Sequence, residues 1–322
     1  MELPIELKIA IDKQIHGLDY AALKRDLQSL GIRYRTQSNQ GRRLLTRHQE
    51  AAAYAIARMP ATYGAVFTAL SHALAMTPLR PATVLDAGAG TGAASWAAYA
   101  LLDIESLVCL EREGAMMQMG QTLMAEGPPP LRTAKWVRHD LIAADIPARA
   151  DLVIASYVLN EMQDAERAKV IEKLWNAADQ MLLLVEPGTP AGYAQLMNAR
   201  QALLQLGAFL AAPCPHASAC PMPPHDWCHF KCRVPRSRLH RQLKDGTVPY
   251  EDEKFMYLAV TREPCRRADA RIVRHPLTDK GKISLELCTL QGIRKADVHK
   301  KDGALYKRAR KVKCGDEWET ES

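Results

Sequence analysis

The chain has 322 residues, 48% hydrophobic and 25% charged, an ordinary globular balance with room for one large domain or two smaller ones. Its formal net charge of +7 and pI of about 9.0 lean towards an anionic partner. No apolar run approaches the roughly 20 residues that span a bilayer. The start, Met1-Glu2-Leu3-Pro4-Ile5-Glu6-Leu7-Lys8, lacks a basic head before an apolar core, so the expectation is a monomeric cytoplasmic protein without a membrane partner.

Residues 1–80 read as an N-terminal helical cap. Pro4 to His16 carries Ile5, Ile9, Ala10 and Ile11 at helical spacing. Leu18 to Leu30 carries a second stripe that stops at Gly31. Arg33 to Arg43 is a polar basic loop. Thr46 with Gln49 fits a capping box for a helix through Met59, Pro60 stops that helix, and Ala61 to Met76 forms another.

Thr83-Val84-Leu85-Asp86 is an apolar run that ends in an acid. Ala87-Gly88-Ala89-Gly90-Thr91-Gly92 then places glycine at every second position, and alanine-rich Ala93 to Ala100 reads as a helix. Strand, glycine turn and helix form the first unit of a doubly wound sheet, where glycine lets backbone approach a ligand closely. Asp-x-Gly-x-Gly-x-Gly differs from the Gly-x-Gly-x-x-Gly of NAD enzymes. It resembles the first motif of class I S-adenosylmethionine (SAM) methyltransferases.

The companions of that motif follow in order. Ser106 to Glu111 is a second strand, ending in a ribose-binding acid 19 residues after Gly92. Lys135 to Asp140 is a third, with Asp140 placed for adenine, and Asp151 to Ser156 is a fourth. Met181 to Glu186 is a fifth, and Asp164 caps the helix before it. Apolar strands alternating with helices predict a parallel sheet, so residues 81–212 are expected to be a SAM-binding Rossmann-like α/β domain. Its expected cofactor residues are Asp86, Gly88, Gly90, Gly92, Glu111, Asp140 and Ser156. Cys109, on the second strand, reads as packing.

Tyr193 to Leu210 reads as a helix, and residues 213–250 as a cysteine-rich loop. Between Pro213 and Cys232 stand Cys214, Cys220, Cys228 and Cys232, with His216, His225 and His229 and too many prolines for regular structure. Structural zinc sites use closer cysteine pairs, and only Cys228 with Cys232 has that spacing. The wider spacing suits an iron–sulfur cluster, while zinc on two or three cysteines plus histidine stays open. Residues 251–322 are expected to hold the last sheet strands and a basic β module. Its strands are Phe255 to Val260, Arg271 to His275, Ile283 to Cys288 and Gly292 to His299, before a frayed end from Val312.

Pro213-Cys214-Pro215-His216, Cys220-Pro221, Asp226-Trp227-Cys228-His229-Phe230 and Tyr250 to Phe255 resemble a methyltransferase-like family. That family is associated with the mitochondrial small ribosomal subunit and its bacterial relatives. Arg58 to Tyr63 and Leu287-Cys288-Thr289 share the resemblance, which covers nearly the whole chain. It implies a class I methyltransferase fold, a 4Fe-4S cluster, and a role in assembling or stabilising the small subunit. It carries over Cys214, Cys220 and Cys228 as ligands and implies Cys288 as the fourth, with Cys232 the local alternative.

Arg266 to Lys313 holds 15 Lys and Arg against 5 Asp and Glu, and Lys231, Arg233, Arg236, Arg238, Arg241 and Lys244 form a further basic run. Two such runs beside a cysteine-held module predict rRNA backbone contact, with Tyr306 and Trp318 available to stack on bases. After the fourth strand comes Tyr157-Val158-Leu159-Asn160-Glu161, without the Asn or Asp before Pro-Pro-aromatic used in amine methylation. No nucleophilic cysteine follows the fourth or fifth strand either. Tyr157, Asn160 and Glu161 are the catalytic candidates. The expected function is SAM-retaining binding and assembly of the small ribosomal subunit; catalytic rRNA methylation is the alternative, and the basic surface argues against a small-molecule substrate.

Overall fold

A computed structural model describes residues 2–15, 18–37, 45, 47–244 and 246–319, with only the backbone for Ile15 and residues 34–37. Four helices open the chain: α1 (Ile5–Ile15), α2 (Tyr20–Gln37), α3 (His48–Ala57) and α4 (Met59–Leu74). α2 continues past Gly31, where the sequence predicted a stop; one helical glycine costs only about 1 kcal/mol. Arg33 is therefore helical and pairs with Glu50 of α3. Residues 38–43 of the predicted basic loop, and the predicted cap Thr46, lie outside the described residues. Pro60 sits in the first turn of α4, where its missing N–H is harmless, so it starts a helix instead of stopping one.

The main sheet is built from β1 (Thr83–Ala87), β2 (Ser106–Glu111), β3 (Lys135–Arg138), β4 (Ala150–Ser156) and β5 (Ala178–Pro187). Between them run α5 (Ala93–Tyr99), α6 (Gly114–Ala125), the single turn α7 (Pro129–Arg132) and α8 (Asp164–Ala177). The strands pair in parallel in the order β3-β2-β1-β4-β5. Helices cover both faces, so Leu182, Leu183, Leu184 and Val185 are all fully buried. Each such side chain contributes roughly 1.5–3 kcal/mol of transfer free energy.

After β5, Thr189 Oγ1 accepts from Gly192 N at 3.1 Å and caps α9 (Pro190–Gln205). The helix ends before Gly207 (φ +81°), and Phe209–Ala212 turns into β6, where the sequence predicted more helix. β7 (Phe230–Pro235), α10 (Arg238–Leu243) and β8 (Tyr250–Thr261) follow. β8 runs antiparallel to β5 along Phe255–Thr261. Its other edge takes β6 at one end and β7 at the other. The cysteine loop thus leaves the sheet from β6 and returns to the same edge through β7.

A second, antiparallel sheet contains β9 (Ala270–Ile272), β10 (Leu277–Asp279), β11 (Lys282–Thr289) and β12 (Gly292–His299). It is completed by α11 (Ala304–Ala309) and β13 (Glu317–Trp318). β11 carries β12 along one edge and β10 then β9 along the other. β13 pairs with β9 and buries Trp318, so that stretch is folded where fraying was expected. Trp318 is core here and is not available to stack on a base.

Candidate functional site

At the end of β1 the glycine turn is left-handed at Gly88 (φ +75°), Gly90 (φ +56°) and Gly92 (φ +84°). A Cβ on Gly88 would lie 2.8 Å from Val158 Cγ2, and one on Gly92 would lie 2.4 Å from Met124 Cε. Gly88, Gly90, Glu111, Asp140 and Ser156 line one cavity of ≈ 100 Å³, together with Tyr157, Glu161, Met116 and Ile142. Leu45 and Tyr54 from the helical cap close over it.

Asp86 and Gly92 stand outside that lining. Asp86 is fully buried beneath the turn, and its Oδ2 accepts from Ser95 N at 3.0 Å and Ser95 Oγ at 2.7 Å. Burial pushes its carboxyl up to about 6, and its Oδ1 has no partner among the described residues. Its place is under the glycine turn, fixing the start of α5. Cys109 lies in the same buried layer, 3.5 Å from Ser95 Oγ, as packing.

Glu111 Oε2 accepts from Gly90 N and Oε1 from Glu113 N, each at 2.7 Å. Each oxygen keeps a second lone pair, enough to receive a ribose diol. Burial raises the Glu111 pKa, and burial beside Glu111 lifts Glu161 to about 7. Asp140 Oδ1 accepts from Ile142 N at 2.9 Å, which holds the turn after β3 against the cavity.

Tyr157, at the end of β4, is a non-glycine residue with φ 57°, a conformation that costs on the order of 1–3 kcal/mol. Two bonds hold it: its N donates to Val185 O at 2.7 Å, and its hydroxyl donates to Glu253 Oε1 at 2.9 Å. Arg58 pairs with the same Glu253 at 3.2 Å. Asn160 does not line this cavity. It lies on a 3-10 turn, Leu159–Glu161, whose first N–H donates to the fully buried Glu186 at 2.9 Å. Tyr54, Arg58, Glu186 and Glu253 were given no role at this site from the sequence, because nothing local ties α3, the start of α4, β5 or β8 to the loop after β4.

On the far side of β8, Cys214, Cys220, Cys228 and Cys288 line one small cavity of ≈ 20 Å³ with Tyr193, Met222, Met256 and Arg271. Three of the cysteines come from the loop between β6 and β7, and Cys288 comes from β11. Cys232 is elsewhere: its Sγ would be 3.0 Å from a Cβ on Gly64 of α4, and burial, then the charge of Glu253, pushes its thiol up to about 12. His216, His225 and His229 do not line the cavity. The His216 ring lies 3.9 Å from Cys288 Sγ, and His225 is exposed. Tyr193 Oη donates to Cys220 Sγ at 3.2 Å. Burial, then the neighbouring Cys214 and Cys220, pushes Cys288 up to about 12. All eight cysteines are free, and among the described residues no three His, Cys, Asp or Glu side chains stand ready to grip a single metal ion.

Two buried arginines hold the loop around those thiols. Arg200 of α9 donates to His216 O and Ser218 O, both at 2.8 Å. Arg271 of β9 donates to Pro213 O at 2.9 Å and to Gly315 O at 3.0 Å. They satisfy carbonyls that a proline-rich segment cannot pair within itself.

The two basic runs differ. In the first, Arg233 pairs with Asp252 at 2.7 Å, while Lys244 and Arg236 pair with Glu251 at 2.8 and 3.5 Å. In the second, Arg294, Lys295, Lys300, Lys301, Lys307, Arg310 and Lys311 are exposed, and among the described residues none has an ion-pair partner. Most of the exposed, unpaired positive charge among the described residues therefore lies on and beside β12 and α11, with Lys231 and Arg238 of the first run also exposed and without an ion pair.

The human protein named "Ribosome assembly protein METTL17, mitochondrial" is 28% identical over 286 residues, covering 82% of this chain and 61% of that one. The Schizosaccharomyces pombe protein named "Rsm22-cox11 tandem protein 2, mitochondrial" is 26% identical over 321 residues, covering 82% of this chain and 42% of that one. The chain thus spans less than two thirds of these relatives. Both are named as mitochondrial, which overturns the cytoplasmic expectation. Among solved structures, SAM-bound magnesium protoporphyrin IX methyltransferase from Synechocystis PCC 6803 aligns with a TM-score of 0.43 and 19% identity, over 77% of this chain and 99% of that one. The family model described as "Mitochondrial small ribosomal subunit Rsm22" matches residues 48–319, most of the sheet-and-cysteine architecture described above, and the chain belongs to that family.

Proposed function

We propose that the chain is a SAM-binding assembly factor that binds rRNA of the small ribosomal subunit, and that a 4Fe-4S cluster holds its basic module in place. The observation that carries this reading is the meeting of Cys214, Cys220, Cys228 and Cys288 at one cavity, with β11 of the second sheet supplying the fourth thiol. The donor set fits an iron–sulfur centre: four thiols, otherwise mostly apolar lining, and a cationic guanidinium beside them. Such a centre supplies a covalent tie between the loop and β11. Loading it would spread the thiols, because ≈ 20 Å³ holds little more than a water.

Glu111 would take the ribose of SAM, Asp140 would face the adenine, and Gly88 and Gly90 would allow close backbone approach. SAM, when bound, supplies an activated methyl group. The acidic lining formed by Glu111 and Glu161 suits its sulfonium charge. Tyr157 is locked to Glu253, and Asn160 and Glu161 lack the Pro-Pro-aromatic frame of amine methylation, which favours binding over turnover.

The test has two parts. Cys288→Ser is expected to lose the brown absorbance and bound iron that Cys232→Ser retains; the opposite result would reassign the fourth ligand. Wild-type protein is expected to sediment with small ribosomal subunits at low salt and leave them at high salt. Robust methyl transfer from tritiated SAM to that rRNA would favour the catalytic alternative, and no association at low salt would remove both rRNA readings.

A further inference from the structure

Beside the cofactor cavity lies a second, larger groove of ≈ 900 Å³, walled by α2, α10 and the turn after β4. Its volume is within the roughly 300–1,000 Å³ of small-molecule sites. Tyr54, Tyr157 and Glu161 line both spaces, so the two meet at those side chains. Asn160 lines only the groove, and its buried Oδ1 has no partner among the described residues. This end therefore presents a carboxyl group and an unused carbonyl oxygen, both suited to accept from an N–H donor.

The groove also holds Arg58, Arg236 and Lys244. At that end these three cations meet two carboxylates, Glu251 and Glu253, which leaves one positive charge there for an anion, while Glu161 stands at the other end of the groove. Amine acceptors and surplus cations within one groove match the two functional ends of a nucleotide, and the Tyr54 and Tyr157 rings offer aromatic surface near a base.

We propose that this groove binds one nucleotide unit whose base carries an exocyclic amine, with the amine at Asn160 and Glu161 and the phosphate towards Arg58, Arg236 and Lys244. The orientation of the base rests on reading the adjoining cavity as the SAM site; occupancy of the groove does not. An RNA residue and a free nucleotide offer this groove the same base and phosphate.

The experiment is calorimetric titration of the full chain at pH 8, where Glu161 is mostly ionised, with CMP, UMP, cytidine and the trinucleotide UCU. S-adenosylhomocysteine is titrated alone first, so failure of the SAM reading is recorded separately. CMP is expected to bind equally well with and without saturating S-adenosylhomocysteine, and roughly tenfold tighter than UMP, whose O4 would face a carboxylate. Glu161→Gln is expected to bring CMP and UMP together without losing either, because an amide can turn to donate or accept. Lys244→Met is expected to bring CMP down to the level of cytidine. Tighter binding of UCU than of CMP identifies RNA as the source; equal or weaker binding identifies a free nucleotide.

Displacement of CMP by S-adenosylhomocysteine, equal binding of CMP and UMP by the wild type, or a preference that survives Glu161→Gln overturns the proposal. So does the absence of CMP binding up to about 10 mM. The wild-type comparisons decide the matter even if a variant fails to fold.

Discussion

Arg271→Met tests whether the cysteine loop is held by buried guanidinium groups before any metal arrives. Arg271 is 2% exposed and donates to Pro213 O and Gly315 O. Methionine keeps most of the aliphatic stem and removes both donors. Each buried carbonyl left without a partner costs about 1–3 kcal/mol, so the two together cost roughly 2–6 kcal/mol. Removing a buried charge whose Nη2 has no partner among the described residues offsets part of this, giving a net loss of about 2–4 kcal/mol. That is a large share of the 5–15 kcal/mol typical of a folded domain. The assay is urea unfolding under reducing, chelating conditions, so that metal binding does not contribute, with exposed Lys280→Met as the control. A loss within about 0.5 kcal/mol of that control would refute the argument. Arg200→Met grips the same loop from α9, so the double variant is expected to lose less than the sum of the two singles.

Glu186 is fully buried, and burial raises its pKa from 4.5 to about 8. The folded state thus holds a proton that the unfolded state has released, and the stability present below pH 4.5 is lost as pH rises through about 8. Denaturation midpoints should fall across that window in the wild type and fall less in Glu186→Gln. Gly88→Ala should weaken S-adenosylhomocysteine binding and cost about 1–2 kcal/mol, since its φ is +75° and a Cβ would meet Val158 at 2.8 Å; calorimetry and thermal melts read both effects. Replacing Lys300, Lys301, Arg310 and Lys311 with alanine should flatten the salt dependence of rRNA binding by roughly 0.7–0.9 in slope per lost phosphate contact, whereas Arg233→Ala, already paired with Asp252, should leave the slope unchanged.

The sheet was legible from sequence because its strands are short apolar runs that alternate with helical segments. Glu111 and Ser156 end β2 and β4, and Asp140 follows the end of β3 by two residues. Asp86 misled because the strand-end position that usually faces a ligand here faces the first turn of α5 and bonds Ser95. Pro60 misled because a proline that ends one helix and a proline that opens the next look alike in sequence. Distance along the chain hid the rest. Arg58 and Glu253 are 195 positions apart, yet both fix Tyr157. β8 lays Glu251 and Asp252 against Arg233, Arg236 and Lys244 of the first basic run and partly neutralises them, while Lys231 and Arg238 stay exposed with no ion pair among the described residues. Charge runs show composition, whereas pairing decides how much of that charge is left to attract a phosphate.

The second sheet explains why a tie of this kind is useful. Its own buried core is small, made of Ala270, Ile272, Ile283, Leu285, Leu287, Val298, Ala309 and Trp318. A unit with so little buried apolar area is marginal alone, and natural small folds add covalent or metal staples to compensate. Its links to the main body are apolar, through Val273, Cys288 and Ile293, and polar: Arg271 to Pro213, Arg274 to Asp226, and Arg266 to Glu317 beside Met76. Cys288 would add a metal–thiolate link, which salt does not screen. Under the proposed function, removing iron should therefore raise amide exchange across β9, β11, β12 and β13 while β1, β4 and β5 keep their protection. The exposed face carrying Lys300 and Arg310 would loosen with them, so chelation should weaken rRNA binding and leave S-adenosylhomocysteine affinity unchanged. Equal exchange in both sheets after chelation would mean that the arginine clamps suffice and that the cysteines do not position the basic face.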